Sequence, residues 1–327
     1  MLRVSNTDCQ LLCASNCAYF VNAGGQFQPP LPGSSGYIFY KNLGAISPIQ
    51  PFAHGADQIN AAILFETANN YTLAFRGTLP PDIHSIPSWL DWMQDILESD
   101  VLQEPGLPGK VHQGFYNAYQ SIQNDIFSTL ELIYNSKNPY PKPLLITGHS
   151  KGGPMASYAA YQAKQKGFPL AGVVTFASPH PGDGDFANGY NALVRQIRYE
   201  NDLDIVPFLP PSPFEVDAMI GIVDIMIWLA GRQFPSIVEV LVEIKKLLDS
   251  VRHWNYTSVG TLKFINYKYQ IVPDSSGLWL NRLEDFGYDF WENGFENGFK
   301  KIAAAHGIGC GGGYQRGVCP TLCSSTE

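Results

Sequence analysis

Residues 143–177 constrain the fold of this chain more than any other stretch. Pro143-Leu144-Leu145-Ile146-Thr147 is a short apolar run and predicts a buried strand. From Ser150 to Lys166 the chain is Ala-rich and helix-like, and it stops at Gly167. Ala171–Ala177 is a second apolar, β-branched run. Strand, helix and strand at this spacing form a βαβ crossover, which pairs its two strands in parallel.

Other segments extend the pattern. Residues 8–23 read as a short helix, and Gly24–Gly36 as a Gly/Pro loop. Ala61–Glu66 and Tyr71–Arg76 flank Ala68-Asn69-Asn70, the signature of a β-hairpin. His112–Asn135 carries Phe115, Tyr119, Ile122, Ile126, Leu130 and Ile133 near helical spacing. Residues 193–199 predict a further strand, Thr261–Val272 alternates like strands, and Leu283–Ala305 returns to helix. The tandem Glu292-Asn-Gly-Phe and Glu296-Asn-Gly-Phe would put Phe295 and Phe299 on one helix face. Phe214–Val251 is strongly apolar at helical period and is interrupted at Gly231–Pro235, so it reads as a helical pair.

The chain has 327 residues, 45% hydrophobic and 15% charged, enough for a full core in one large domain. A net charge of −8 argues against a nucleic-acid partner, because phosphate binding needs a basic face. No run of 18 apolar residues predicts a membrane span, and Met1–Ser5 leads into no apolar signal region before Cys9. The six cysteines lie at the two ends: Cys9, Cys13 and Cys17, then Cys310, Cys319 and Cys323. The first three would share a helical face. Their grouping suggests termini that meet in space, with at least one bridge in an oxidising compartment, and it weakly favours secretion. A zinc site or buried reduced thiols are the alternatives.

Chemistry enters at Gly148-His149-Ser150-Lys151-Gly152, which matches G-x-S-x-G. The pattern is weak alone, but here a strand ends just before it and a helix starts just after. That context exposes a serine hydroxyl on a strained turn and aims helix N-terminal N–H groups at a developing oxyanion. An ordinary capping serine on a tight turn is the competing reading. A nucleophilic serine needs a histidine base and an orienting acid. In the order Ser, acid, His, five histidines drop out (His54, His84, His112, His149 and His180), leaving His253 and His306. His306 precedes a glycine-rich loop from Gly307 to Tyr314 and is preferred; His253 beside Trp254 reads as structural. Asp204, on a loop stiffened by Pro207, Pro210 and Pro211, is the preferred acid, with Asp202 its rival.

Four blocks in order resemble the class 3 lipase family, the fungal-lipase-like branch of the α/β-hydrolase fold. They are Leu73-Ala74-Phe75-Arg76-Gly77-Thr78, Val111-His112-Gln113-Gly114-Phe115, Thr147–Gly153 and Asp204-Ile205-Val206-Pro207. Val174–Pro179 with Gly184-Asp185-Phe186 adds a fifth. The resemblance implies an α/β fold: a mostly parallel central sheet with helices on both faces, here carrying a helical insert. It implies Ser150, Asp204 and His306 as a triad, and Thr78 and Lys151 as oxyanion-hole residues. Residues 79–97 would be a lid, with Ile83, Ile86, Trp89 and Trp92 as apolar contacts.

Three departures stand out. The 79–87 stretch is Pro-rich and lengthens the lid. Lys151 stands where the family often has Leu, adding a cation beside the nucleophile or pointing to solvent. The insert at 214–251 stretches the interval from Asp204 to His306; a helical pair packed on the core is its simplest reading, and a second cap, an interfacial surface or a dimer contact the sharper ones. The expected function is ester hydrolysis through an acyl-enzyme, most simply on acylglycerols, with a feruloyl-type esterase or phospholipase as runner-up. A non-catalytic binding protein on the same fold is the competing class. No metal or organic cofactor is implied, and the pattern is silent on oligomeric state.

Overall fold

The computed structural model describes residues 6–55, 59–78, 93–97, 99–135, 141–231, 233–275 and 278–323. Ile83, Ile86, Trp89 and Trp92, expected to form apolar contacts of a lid, lie outside them, as do the side chains of Phe295 and Phe299. The hairpin expected near Asn69-Asn70 is β2 (Asn60–Glu66) and β3 (Tyr71–Phe75), paired antiparallel, with β1 (Gln50–His54) on its outer side. β4 (Val101–Gln103) and β5 (Lys110–His112) form a small separate sheet with β8 (Gly182–Asp183) and β10 (Tyr256–Thr257).

The crossover is present as β6 (Leu144–His149), helix Gly152–Gln165 and β7 (Leu170–Phe176). β9 (Gln196–Asn201), β11 (Thr261–Ile265) and β12 (Ile271–Pro273) complete an eight-stranded sheet in the order β1-β2-β3-β6-β7-β9-β11-β12. From β3 to β11 every neighbouring pair is parallel. Parallel strands are buried on both faces by their crossovers, which is why these runs are apolar almost throughout.

The helices are α1 (Asn6–Cys17), α2 (Tyr37–Lys41), α3 (Gln113–Asn135), α4 (Gly152–Gln165) and α5 (Gly184–Leu193). They continue as α6 (Pro213–Ala230), α7 (Pro235–Val251), α8 (Leu278–His306) and α9 (Gly313–Val318). On one side of the sheet α3 and α4 bury Phe115, Tyr119, Ile122, Ile126 and Leu130 with Phe75, Ile146 and Tyr158. Each such side chain contributes about 1.5–3 kcal/mol on leaving water. On the other side α1 packs on β3 and β6, with Leu11 and Leu12 in one cluster and Cys13 and Cys17 in another.

The insert is the expected helical pair. Met219, Ile222, Val223 and Met226 of α6 meet Leu241, Ile244 and Leu248 of α7, and both helices join the main core. Ser212 and Glu215 form a capping box that starts α6. Phe214 and Trp228 on its outer side stay 73% and 66% exposed.

The termini meet, as the cysteine grouping suggested. Cys9 of α1 is bonded to Cys319 just beyond α9, and Cys310 to Cys323 within the tail. Cys13 and Cys17 are buried free thiols, and burial pushes Cys13 up to about 12, so it stays protonated.

Candidate active site

Ser150 follows β6 directly and sits at φ 56°, in the left-handed region that β-carbon-bearing residues rarely occupy. The turn is held from both sides. Its N–H donates to the Phe176 carbonyl of β7 at 3.0 Å, and its carbonyl accepts from the Gly153 N–H at 2.8 Å. The flanking glycines are required by space. A β-carbon on Gly148 would lie 2.0 Å from the Gly152 carbonyl oxygen, and one on Gly152 2.4 Å from that of Phe75. Strand and helix therefore approach closely enough to aim the N-terminus of α4 across the serine.

The extension of β3 runs against the same turn. A β-carbon on Gly77 would lie 2.9 Å from Ser150 Cβ and 2.7 Å from the His149 carbonyl oxygen. Arg76 is buried and donates from Nη1 to the Val21 carbonyl at 2.6 Å. Lys151 does not simply point to solvent: its Nζ donates to Asn60 Oδ1 at 2.9 Å. Burial first, then the positive charge of Arg76, push its ammonium down to about 8.

Asp204 is fully buried just after β9, and His306 is the last residue of α8. His306 Nδ1 lies 3.1 Å from both carboxylate oxygens of Asp204. Tyr314 of α9 donates its hydroxyl to Oδ2 at 2.6 Å, and the Val206 N–H donates to Oδ1 at 3.0 Å. Burial alone would raise this carboxyl. The neighbouring His306 and the three hydrogen bonds outweigh it and hold Asp204 below the usual carboxylate range.

His149, the residue before Ser150, ties the two halves together. Its Nε2 bonds the backbone carbonyl of His306 at 2.9 Å, and its Nδ1 bonds the Tyr19 hydroxyl at 2.8 Å. The chosen nucleophile, acid and base thus share one edge of the sheet. The rivals go elsewhere: Asp202 interacts with Asp285 of α8, and His253 is exposed against the Trp254 ring. Burial and the Asp285 charge raise Asp202 to about 6. His112 is buried, bonds the Ile96 carbonyl through Nε2 at 2.8 Å, and is pushed down to about 4 by burial. Among the described residues no group of three His, Cys, Asp or Glu side chains has the arrangement of a metal site. The parts of the site not anticipated from sequence are Tyr19, Tyr314 and the bonding role of His149. Only Tyr314 carried a local signal, its place at the end of the glycine-rich loop.

A strained serine turn between β6 and α4, in a mostly parallel sheet with a buried carboxylate after β9, is the arrangement of the α/β-hydrolase fold. Residues 72–214 match the family model described as lipase (class 3). Through this segment the chain is similar to the class 3 lipase family. It is 32% identical over 130 residues to a lipase of Rhizomucor miehei, covering 38% of this chain and 35% of that protein. It is 30% identical over 156 residues to secreted mono- and diacylglycerol lipase A of Penicillium cyclopium, covering 47% and 45%. The chain thus spans less than half the length of these curated relatives.

Among solved structures, a triacylglycerol lipase described as having a serine-protease triad superposes with a TM-score of 0.50. Identity is 23%, with 64% of this chain and 77% of that one covered. A Penicillium cyclopium structure superposes at 0.51 with 20% identity, covering 79% and 78%. At these identities the structures establish the fold.

Proposed function

We propose that the protein is a serine carboxylic-ester hydrolase acting on acylglycerols. The observation that carries this is the Asp204–His306 contact, joined through His149 to a serine in the left-handed region. His306 Nδ1 is committed to Asp204, so Nε2 is the nitrogen for proton transfer. As Ser150 Oγ bonds the ester carbonyl carbon, His306 takes the hydroxyl proton. The tetrahedral oxyanion sits against the Lys151 N–H and Thr78, and one such donor is typically worth about 10²–10³ in rate. Collapse expels the alcohol, which takes the proton from His306. A water then gives a proton to His306 as it bonds the acyl carbonyl carbon, and on collapse His306 returns that proton to the departing Ser150 Oγ, releasing the acid and restoring the serine.

In this proposal the α6–α7 pair walls the acyl site. The two disulfides and the secreted relatives support an extracellular, oxidising location. The similarity to a mono- and diacylglycerol lipase favours acylglycerols over other esters.

Hydrolysis of p-nitrophenyl esters by the wild type, Ser150→Ala, His306→Ala and His253→Ala tests the mechanism. The serine and His306 variants should lose at least about 10³-fold in kcat, as removal of a triad member does. Equal rates for wild type and Ser150→Ala would overturn it. Emulsions of mono-, di- and triacylglycerol beside phosphatidylcholine vesicles test the substrate class; faster phospholipid hydrolysis would reject the acylglycerol assignment.

A further inference from the structure

Helix α8 is outside the segment that matches the family model, yet both of its ends meet the acid loop. Arg282, near its start, donates from Nη2 to the backbone carbonyls of Asn201 (3.4 Å) and Asp204 (3.3 Å). Its Nη1 bonds Glu200 Oε2 at 2.5 Å. At the other end His306 engages the carboxylate of the same Asp204. A straight helix would hold Arg282 and His306 about 36 Å apart, far beyond the reach of two side chains. The element is therefore bent back on itself. Asp289 and Lys301, which a straight helix would separate by about 18 Å, are likewise ion-paired.

The Arg282 guanidinium is built in rather than draped over the surface. It is buried, lies over the Phe208 ring at 4.0 Å and 5.0 Å from the Phe264 ring centre. Glu200 is held in turn by Arg198 at 2.8 Å. A planar fork satisfies a carboxylate and two carbonyls at once; an ammonium cannot reproduce that geometry.

We propose that Arg282 is a positioning residue of the triad. By gripping the Asp204 and Asn201 carbonyls it sets the orientation of the acid loop, and the folded-back α8 then delivers His306 to the carboxylate it has oriented. The proposal rests on the hydrolase reading above. Its content is that geometry at His306, not substrate binding, depends on a residue of the C-terminal third.

The test compares Arg282→Lys with the double variant Arg282→Met/Glu200→Gln, which leaves no uncompensated buried carboxylate. Both are measured on p-nitrophenyl butyrate for kcat and KM, alongside Ser150→Ala, with circular dichroism melts to establish the folded fraction. The low-field 1H resonance of the Nδ1 proton shared by His306 and Asp204 is recorded for each. The expected result is a loss of about 10²-fold in kcat at unchanged folded fraction, KM within about twofold, and a weakened or missing low-field resonance. Folded variants with wild-type kcat and resonance would overturn the proposal, as would a change confined to KM. If Ser150→Ala itself retains activity, it is the hydrolase reading that fails.

Discussion

His149 donates its Nε2–H to the backbone carbonyl of His306, 157 positions away, while accepting at Nδ1 from Tyr19. A carbonyl can only accept, so this tautomer follows from the partners. Two histidine rings stand 4.7 Å apart at the site, and the base proposed above is His306, not His149. Burial, with the His306 charge second, pushes His149 down to about 3, so it is a neutral clamp at working pH.

The buried neutral histidines make stability pH-dependent with a defined sign. His149 and His112, at about 3 and about 4, lie below the ordinary 6.5, so between those values the unfolded state binds more protons. Stability should fall as pH drops below about 6.5, approaching about 1.4 kcal/mol per pH unit for each histidine. Asp202, raised to about 6, opposes this between 3.8 and 6. Urea titrations from pH 7 to 4.5 should show a shallower fall in His112→Gln than in wild type; identical slopes would refute the assignment.

Tyr314→Phe removes the 2.6 Å bond to Asp204 and the acceptor for the Asn201 N–H at 3.1 Å. A hydrogen bond to a charged group is worth about 1.5–3 kcal/mol. Steady-state kinetics should show kcat reduced about tenfold or more with KM nearly unchanged. A wild-type kcat would show that Asp204 is held adequately by Val206 and His306.

Lys151→Leu should stabilise the fold. The ammonium is pushed down to about 8 from 10.5, so at pH 7 the folded state carries a cation it disfavours. The unfolded state binds more protons between those values, so wild-type stability should rise with pH across that window. A gain of about 1–2 kcal/mol at pH 7, shrinking toward pH 10, is the expected difference between variant and wild type in urea unfolding. Loss of stability at pH 7 would mean that the Asn60 bond outweighs desolvation.

Replacing Cys9 and Cys319 by Ser opens a bridge across a sequence separation of 310 residues. Removal of a native disulfide costs about 2–5 kcal/mol. Equilibrium unfolding without reductant should show that loss in midpoint, and proteolysis should begin at the tail beyond α9. An unchanged midpoint would leave the bridge without a stabilising role.

Some of this was legible residue by residue. The β6–α4–β7 unit announces itself because apolar runs and an Ala-rich helix are local patterns, and the strained Ser150 turn because its glycines are required within a few positions. Asp204 and His306 followed from order along the chain and from the loops around them. The disulfide partners did not follow, since helical spacing places three cysteines on one face but cannot say which of them the tail reaches. α8 read as an ordinary helix because periodicity reports a stretch's face, not its axis.

The sequence by itself determined the crossover and the strained Ser150 turn, because these are written in spacings of a few residues. Only the tertiary structure decided that His149 holds His306 and that Arg282 reaches the loop of Asp204 from 78 positions away. Those contacts exist only once the sheet has formed and α8 has folded back. Their donors and acceptors are common residue types whose meaning comes from burial against partners remote in the chain.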